Sequence, residues 1–315
     1  MRGGFQSCTA RAPGSVGNVA VGFDILGHAF AAVFDQVEAR RTDEAGIQLI
    51  CAGPGSATLP TLATANTAGR AAQAVLQKAN LAWGLQLNIL KGIPVASGLG
   101  GSAASAVAAA AAVNGLLEHP LSLESVLDCA LEGEAVATGS RVIDNVAASL
   151  FGGLVFALDG QPPVARSVPV PEGLYCALVH PDLVITTEAS RAGLSDQVSR
   201  ATVVAQMANL AGVLIGCHQT DIPMLGRFLR DCMIEPQRAS QVPGFARVQA
   251  AALSEGALGC SLSGSGPSIF AWCQGREQAH AVASSMSRVF DDMQIASRRW
   301  VSPVAGSGVQ IVERQ

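Results

Sequence analysis

The stretch "GIPVASGLGGSAAS", residues 92–105, is the most informative segment of this chain. It places four glycines and three serines directly before an alanine-rich run that favours a helix. The N-terminus of a helix carries unpaired N–H groups and a partial positive charge, and glycines let the backbone approach an anion closely. The stretch therefore indicates either a tight turn or a phosphate-binding loop, and its residues alone leave both open.

The two common phosphate motifs are absent from the sequence. No glycine is followed by lysine, which excludes GxxxxGK[ST], and no GxGxxG follows a strand-like run. The chain has only two lysines, Lys78 and Lys91. Backbone amides must therefore hold most of any phosphate, and Lys91 is either a second phosphate contact or an exposed strand end.

The composition limits the class of protein. The chain has 315 residues, of which 49% are hydrophobic and 14% charged, with a net charge of −4. These values are typical of a folded protein with room for two domains, and they argue against a nucleic-acid partner. The opening residues lack an apolar signal segment, and the longest apolar run, residues 103–117, is too short to span a bilayer. The eight cysteines form no CxxC pair. We expect a cytoplasmic enzyme or binding protein with no membrane partner.

The pattern of apolar residues predicts strands and helices without a regular βαβ alternation, which favours the α+β class. A proline-rich stretch at residues 160–173 predicts the domain junction. Helices are predicted at 63–84, capped by Thr64 or Asn66, and at 103–117, 122–140 and 276–293. Strands are predicted at 7–13, 33–41, 47–53, 85–92, 152–160 and 174–181, around 260–273, and in the C-terminal tail.

Two further glycine-rich stretches stand out. "SLSGSGPSIFAW", from Ser261, lies between two strand-like runs, and it is either a glycine hairpin or part of a site. "ARAPGSVGNVAVGFDILG", residues 10–27, places Asp24 in apolar surroundings. A buried carboxylate is costly unless it is paired, so Asp24 either contacts a ligand or caps a local turn.

These three stretches, in this order, resemble the motifs of the GHMP small-molecule kinases. "PVASGLGGSAAS" resembles their P-x-x-x-G-L-G-S-S-A-A phosphate loop, and "GCSLSGSGPSIFA" resembles their third motif. The first stretch resembles the homoserine kinase version, P-x-S-S-A-N-L-G-x-G-F-D. Segments resembling that subfamily also begin at Gly133, at Val179 ("VHPDLVITTEASRAG") and at Glu235 ("EPQRASQVPGF"). The resemblance runs from about residue 8 to residue 275, and in the first motif it rests on Pro13, Ser15, Asn18, Gly22, Phe23 and Asp24.

The resemblance implies a two-domain α+β fold with the site between the domains. Residues 1–165 would form an ATP-binding domain like domain 2 of ribosomal protein S5, and residues 166–315 a ferredoxin-like domain. It also implies ATP and Mg²⁺ as cofactors, phosphorylation of the L-homoserine hydroxyl in threonine biosynthesis, and a homodimer.

The same resemblance assigns roles to individual residues. Ser102 and Glu134 would hold Mg²⁺ and, with Asn145, form the catalytic group. Asn66 would lie near the nucleoside, and Lys91 near the phosphates. The triphosphate would contact Pro94, Gly98, Leu99, Gly100, Gly101, Ser102 and Ala103. Homoserine would contact Asn18, Asp24, Asn145, Thr187, Arg191, Arg238 and Gly264, with the acid on its ammonium and the arginines on its carboxylate.

The chain departs from the family pattern at several positions. Gly101 stands where a serine is common, Ala148 replaces a proline, and Val142 replaces the usual histidine. An apolar side chain at 142 cannot orient a substrate by hydrogen bonding. Two alternatives therefore stay open: a kinase of the mevalonate class with Asp144 as its base, and a non-catalytic ligand sensor of the same family.

Overall fold

The computed structural model describes residues 5–315, and in these residues eleven strands form two sheets. The first sheet has seven strands in the order β11-β1-β2-β4-β3, with β5 paired to β2 and β6 to β5; the second has four in the order β10-β7-β9-β8. The strands are β1 (Ser7–Gly17), β2 (Leu26–Thr42), β3 (Ile47–Ala52), β4 (Gly84–Leu90), β5 (Leu154–Leu158), β6 (Val164–Val168), β7 (Leu174–Pro181), β8 (Gly259–Leu262), β9 (Ile269–Gln274), β10 (Ser297–Pro303) and β11 (Gln310–Arg314).

Four helices cover the first sheet, namely α1 (Thr67–Lys78), α2 (Gly101–Leu116), α3 (Leu123–Thr138) and α4 (Ile143–Phe151). Helix α2 packs against the other three and against β1 and β2. Alanines dominate α2 because a helix surrounded on all sides has space only for small side chains, and 13 of its 16 residues are buried. The α2 N-terminus consequently has a fixed position relative to the sheet.

The second sheet carries its helices between β7 and β8 and between β9 and β10. The order β7, helices, β8, β9, helix, β10 is the βαββαβ order of ferredoxin-like folds, so the predicted α+β two-domain architecture is confirmed. A second hydrophobic core lies between this sheet and the last two helices of the chain. The helices are α5 (Thr187–Ala192), α6 (Arg200–Gln219), α7 (Ile222–Phe228), α8 (Glu235–Arg238), α9 (Phe245–Ser254) and α10 (Arg276–Asp292).

Several elements differ in length from the sequence prediction. Helix α1 begins only at Thr67, because the Asn66 side chain accepts hydrogen bonds from the backbone N–H groups of Ala68 and Gly69 and so caps the helix. Strand β2 begins at Leu26, seven residues before the predicted start. Its first five residues are all buried, so they lack the two-residue alternation that marks a half-exposed strand.

The chain ends in the first sheet, since β11 pairs antiparallel with β1. Residues 310–314 therefore pack with the first sheet, although the sequence assigned them to the second domain. Strand β6 still pairs with β5 as far as Val168, and β7 opens the second sheet at Leu174. The division between residues 165 and 166 stays a prediction, and it falls inside β6.

A buried hydrogen bond joins the two sheets. The indole Nε1 of Trp272 on β9 donates to Nε2 of His28 on β2 at 3.3 Å, and His28 Nδ1 lies 2.9 Å from its acceptor, the carbonyl oxygen of Ala29. Both rings are fully buried. This contact holds the two sheets side by side and leaves a cleft between their loops.

Among the described residues, α6 is the one helix whose length and composition would allow it to cross a membrane. About a third of its most apolar window is buried inside the protein (33%). A helix packed in a protein core passes the same test, so this observation adds little by itself.

Candidate active site

A cavity of about 340 Å³ lies between the loops of the two sheets. All three glycine-rich stretches contribute to it, together with the first turns of α1, α2, α4 and α5. Loops from distant parts of the chain therefore converge at one place. Of the residues predicted from the sequence, those lining the cavity are Asn18, Asp24, Asn66, Lys91, Gly98, Gly100, Gly101, Ser102, Glu134, Asn145, Thr187, Arg191, Arg238 and Gly264.

The phosphate loop needs glycine at two positions. Gly98 and Gly100 have left-handed φ angles of 76° and 63°. A Cβ atom on Gly98 would lie 2.6 Å from the carbonyl oxygen of Ser263, and one on Gly100 would lie 2.1 Å from Ser15 Oγ. The loop thus passes between the other two motifs, and its N–H groups lie at the start of α2.

The three motifs are hydrogen-bonded to one another. Ser263 Oγ donates to the carbonyl oxygen of Gly98 at 2.6 Å, and the N–H of Ser15 donates to the carbonyl oxygen of Leu99 at 3.0 Å. The N–H of Ser268 donates to the carbonyl oxygen of Ser97 at 3.2 Å. These bonds fix the phosphate loop against both neighbouring loops.

Three residues predicted to contact the triphosphate do not line the cavity. The side chains of Leu99 and Ala103 are fully buried in the core, and the N–H of Leu99 donates to Ser97 Oγ at 3.3 Å. Pro94 lines a neighbouring cleft instead. Their predicted contact with the triphosphate stays a prediction, and it would be made by backbone groups because the side chains of Leu99 and Ala103 are buried.

Ser102 and Glu134 meet at the start of α2. Ser102 Oγ donates to Glu134 Oε1 at 2.9 Å, and Glu134 is only 4% exposed. Burial raises the pKa of the Glu134 carboxyl to about 8, while the hydrogen bond from Ser102 opposes the shift. Among the described residues, no group donates a hydrogen bond to the buried Oε2. A hydroxyl and a carboxylate oxygen at the mouth of a phosphate loop fit a hard divalent cation such as Mg²⁺.

Lys91 lines the cavity, but its ammonium group is bonded to other groups of the protein. It is 4% exposed and forms an ion pair with the fully buried Asp35 on β2. Its ammonium group also donates to the carbonyl oxygen of Gly101 and to Ser105 Oγ, both at 2.9 Å. An ammonium group has three hydrogens, so all of its donors have partners in the protein, and the predicted direct contact with phosphate stays a prediction.

Asn66 lines the cavity just before α1. It is buried, it caps α1, and its Nδ2 donates to the carbonyl oxygen of Pro60 at 2.9 Å. The side chain therefore has a structural task of its own. Its predicted place near the nucleoside stays a prediction.

The loop after β1 has an unusual backbone. Asn18, Val19 and Ala20 have φ angles of 65°, 44° and 59°, and Asp24 has 60°. A β-branched residue such as Val19 rarely adopts a positive φ, so this loop stores strain of the kind found at functional sites. Asn18 Oδ1 accepts a hydrogen bond from the N–H of Asp24 at 3.1 Å, which closes the loop.

Arg191 forms a bidentate ion pair with Asp24. Each terminal nitrogen of Arg191 donates to one carboxylate oxygen at 2.8 Å. The sequence prediction gave the acid to a substrate ammonium and the arginine to a substrate carboxylate, whereas in this structure the two side chains are bound to each other. Complementary charges that face one cavity attract, so the same pair remains able to receive a zwitterion by exchange of partners.

Arg238 brings a second guanidinium to the same end of the cavity. It is 2% exposed, and its Nη1 donates to the carbonyl oxygen of Gly264 at 3.1 Å. Burial, and then the charge of Arg191, lower the pKa of Arg238. The Phe23 ring lies 5.4 Å from both guanidinium carbons. Two guanidinium groups thus lie near the Asp24 carboxylate, and planar guanidinium groups suit an anionic ligand group.

Asp144 and Asn145 lie at the centre of the cavity. Asp144 Oδ2 accepts from the N–H of Asn18 at 2.8 Å, and Oδ1 accepts from the N–H of Asn145 at 2.8 Å. Burial, and then the charge of Asp24, raise the pKa of Asp144 to about 6, against these two hydrogen bonds. Ser15 Oγ donates to Asn145 Oδ1 at 2.9 Å. Asp144 therefore holds the first motif against the start of α4.

The remaining predicted residues are Thr187, at the start of α5, and Gly264, in the loop between β8 and β9. Thr187 Oγ1 lies 3.4 Å from Ser265 Oγ, and the Gly264 carbonyl accepts from Asn18 Nδ2 at 3.1 Å as well as from Arg238. The site also contains residues that the sequence prediction missed. Two of them lay in the quoted stretch, where their serine hydroxyls were a usable signal; the missed residues with hydroxyl groups are Thr67, Ser97, Ser105, Thr138, Thr186 and Ser265.

The family histidine position also lines the cavity. Val142 is 8% exposed and precedes α4, where it offers no side-chain hydrogen bond to the helix N-terminus. This part of the cavity is therefore apolar.

Comparison with known proteins agrees with this geometry. The family model described as GHMP kinases N terminal domain matches residues 66–153, and the one described as GHMP kinases C terminal matches residues 213–292. Homoserine kinase of Xanthomonas campestris pv. campestris (strain B100) is 41% identical over 310 residues, 98% of this chain and 95% of that protein. Homoserine kinase of Xylella fastidiosa (strain 9a5c) is 43% identical over 305 residues, 96% of this chain and 93% of that protein.

Two solved structures are informative. The crystal structure of homoserine kinase from Cytophaga hutchinsonii ATCC 33406 has a TM-score of 0.94 and 37% identity, covering 98% of each chain. That of L. major mevalonate kinase in complex with R-mevalonate has a TM-score of 0.71 and 17% identity, covering 98% of this chain and 97% of that one. At that identity the second likeness shows the fold alone.

Proposed function

The chain belongs to the GHMP kinase family, and from this premise we propose that it transfers the γ-phosphoryl group of MgATP to the hydroxyl of L-homoserine. The product is O-phospho-L-homoserine, an intermediate of threonine biosynthesis. One observation carries the choice of acceptor: the cavity has a carboxylate, Asp24, and two guanidinium groups, Arg191 and Arg238, at one end. A free amino acid has the matching ammonium and carboxylate.

The residues at the phosphate loop fit the two cofactors. Bound MgATP supplies the phosphoryl group, and the metal ion neutralises charge on the phosphate oxygens. Gly98, Gly100 and Gly101 offer the close backbone approach that a triphosphate needs. The buried Glu134 Oε2 and the Ser102 hydroxyl offer the oxygens that would hold the metal.

The acceptor hydroxyl must lie in line with the phosphorus atom. We infer that Asn145 orients it, since an amide can hold a hydroxyl but cannot take its proton at neutral pH. Asp144 then serves to position Asn145, to whose N–H it is hydrogen-bonded. Phosphoryl transfer tolerates the lack of a protein base because its transition state is loose.

A second candidate keeps Asp144 as a general base, as in a kinase of the mevalonate class. One observation favours it: the pKa of Asp144, raised to about 6, approaches the range of a working base. Against it stand the hydrogen bonds that occupy both carboxylate oxygens. A non-catalytic sensor is disfavoured because Ser102 and Glu134 are both present and in contact.

A panel of acceptors tests the proposal. ADP release is measured with MgATP and homoserine, mevalonate, galactose or threonine, each against a blank without acceptor. We expect homoserine to give the highest kcat/KM. Release of ADP with mevalonate or galactose but not with homoserine would overturn the assignment.

Two finer statements belong to the same proposal. We infer a homodimer and a cytoplasmic location, as expected for such a biosynthetic kinase. Light scattering on the eluted protein tests the first, and fractionation of the cells that make it tests the second.

A further inference from the structure

A buried polar cluster lies beneath the phosphate loop and is used by none of the steps above. It consists of Asp35, Lys91, Ser105 and the carbonyl group of Gly101. Ser105 Oγ donates to Asp35 Oδ2 at 2.7 Å, and Lys91 donates to Asp35, to Gly101 and to Ser105. Both charged side chains are at most 4% exposed.

The cluster connects three separate elements. Asp35 comes from β2, Lys91 directly follows β4, and Gly101 and Ser105 form the first turn of α2. The second carboxylate oxygen of Asp35 accepts from the N–H groups of Gly92, at 3.0 Å, and Ile93, at 3.1 Å. The entrance to the phosphate loop and the helix that leaves it are therefore attached to one carboxylate.

A loop of this composition needs such an anchor. Its glycines allow many backbone conformations, and ordering them only when a ligand binds would reduce the affinity. N–H groups hold a phosphate well only if they already point at it. A fixed first turn of α2 supplies that orientation at no further entropic cost.

We propose that Lys91 is a positioning residue for the triphosphate: paired with Asp35, it fixes the first turn of α2 through Gly101 and Ser105 and does not touch the phosphates. Because the pair is electrically neutral, its effect depends on geometry. The inference relies on the proposed function only for the identity of the nucleotide.

The direction in which one variant changes the affinity for MgATP distinguishes a positioning role of Lys91 from direct attraction of phosphate by its charge. Asp35→Asn leaves the lysine without its counter-ion. If the lysine charge attracted phosphate, this variant would bind MgATP more tightly, whereas the anchor predicts weaker binding. Asn can still accept from the two backbone N–H groups, so the surrounding backbone keeps its partners.

Two further variants test the same inference without leaving a buried charge unpaired. Ser105→Ala removes one contact of the cluster without leaving a charge unpaired, and Lys91→Met with Asp35→Asn removes both charges together. The control is Lys78→Met, since Lys78 is the other lysine of the chain and forms an ion pair with Asp128 that is about one-third exposed. Circular dichroism and thermal unfolding of each variant establish that it is folded.

Calorimetric titration of the full chain with MgATP, MgADP and adenosine is the test. We expect the Kd for MgATP to rise about 3- to 10-fold in Ser105→Ala and about 10- to 100-fold in the double variant. Adenosine binding and the Lys78→Met control should remain unchanged. Tighter MgATP binding in Asp35→Asn, an equal loss for adenosine, or wild-type MgATP affinity in the folded double variant would overturn the inference. If the wild type binds MgATP but does not phosphorylate homoserine, the proposed function fails and this inference stands.

Discussion

Arg191 on α5 donates both of its terminal nitrogens to the Asp24 carboxylate, each at 2.8 Å, across 167 residues of sequence. The pair joins the strained loop after β1 to the second sheet's helices. It also sets the two opposite charges of an amino-acid site at contact distance. In the proposed function, this pair exchanges partners with the ammonium and carboxylate of homoserine.

Removing either partner of that pair should weaken homoserine binding. We expect Asp24→Asn and Arg191→Gln each to raise the KM for homoserine about 10- to 100-fold, because each removes a charge-assisted contact. The KM for ATP should stay the same. Steady-state kinetics with each substrate varied in turn measure both values. Glu38→Gln, in an ion pair with Arg40 on the outer part of β2, is the control; a rise in KM for ATP alone would contradict this assignment.

The Ser102–Glu134 contact should be essential for turnover. Ser102→Ala and Glu134→Gln are each expected to lower kcat more than about 100-fold, since metal clamps on a transferring phosphoryl group contribute several kcal/mol. The measurement is kcat across a Mg²⁺ titration. Glu132→Gln is the matched control, because Glu132 lies on the same helix in surface ion pairs. Normal kcat and normal Mg²⁺ dependence in both site variants would refute the assignment.

Asn145 and Asp144 should differ in their effect on the chemical step. We expect Asn145→Ala to lower kcat far more than Asp144→Asn, since the amide orients the hydroxyl and the acid only supports it. Binding of ATP and homoserine, measured by calorimetry, should persist in both variants. If folded Asp144→Asn binds both substrates but has no turnover, Asp144 is the base and the mevalonate-type mechanism is correct.

His28 should lower the stability in acid, with a sign opposite to the contributions of Glu134 and Asp144, whose pKa values burial raises. Burial lowers the pKa of this histidine to about 4, whereas an unfolded chain has the ordinary value near 6.5. Between these values the unfolded state binds more protons, so the free energy of unfolding decreases as the pH falls, by up to about 3 kcal/mol for this group. Above pH 6.5 His28 is neutral in both the folded and the unfolded state, so it no longer lowers the free energy of unfolding.

Urea unfolding at a series of pH values tests this statement. Between pH 4 and 6.5 the free energy of unfolding of His28→Gln should rise less steeply with pH than that of the wild type, and this difference isolates His28 from Glu134 and Asp144. His180, whose pKa burial also lowers, supplies a part of the remaining slope. The exposed His218→Gln serves as the control. An unchanged slope in His28→Gln would show that another group causes the acid sensitivity.

The phosphate loop could be predicted from the sequence because its signals are local. Glycines with left-handed φ, serines and a helix start lie within fourteen residues, and the structure needs each of the two central glycines where the pattern put them. The cap at Asn66 is local in the same sense. Such features depend on backbone geometry over one or two turns.

Contacts between distant segments could not be predicted in the same way. Nothing near Asp35 in the sequence marks it as the partner of Lys91, and an isolated acid in a strand resembles a solvated one. The bond between Asp24 and Arg191 depends on how two sheets pack, as does the return of β11 to β1. The residue types were informative, but their partners are set by tertiary structure.

The most direct test of the account is the identity of the product. The protein is incubated with MgATP and L-homoserine, and the mixture is followed by phosphorus NMR with correlation to protons. We expect a new phosphomonoester signal, coupled to the methylene protons next to the homoserine hydroxyl oxygen, that grows in step with ADP. Formation of ADP with inorganic phosphate as the only new phosphorus species, or no reaction at all, would contradict the account.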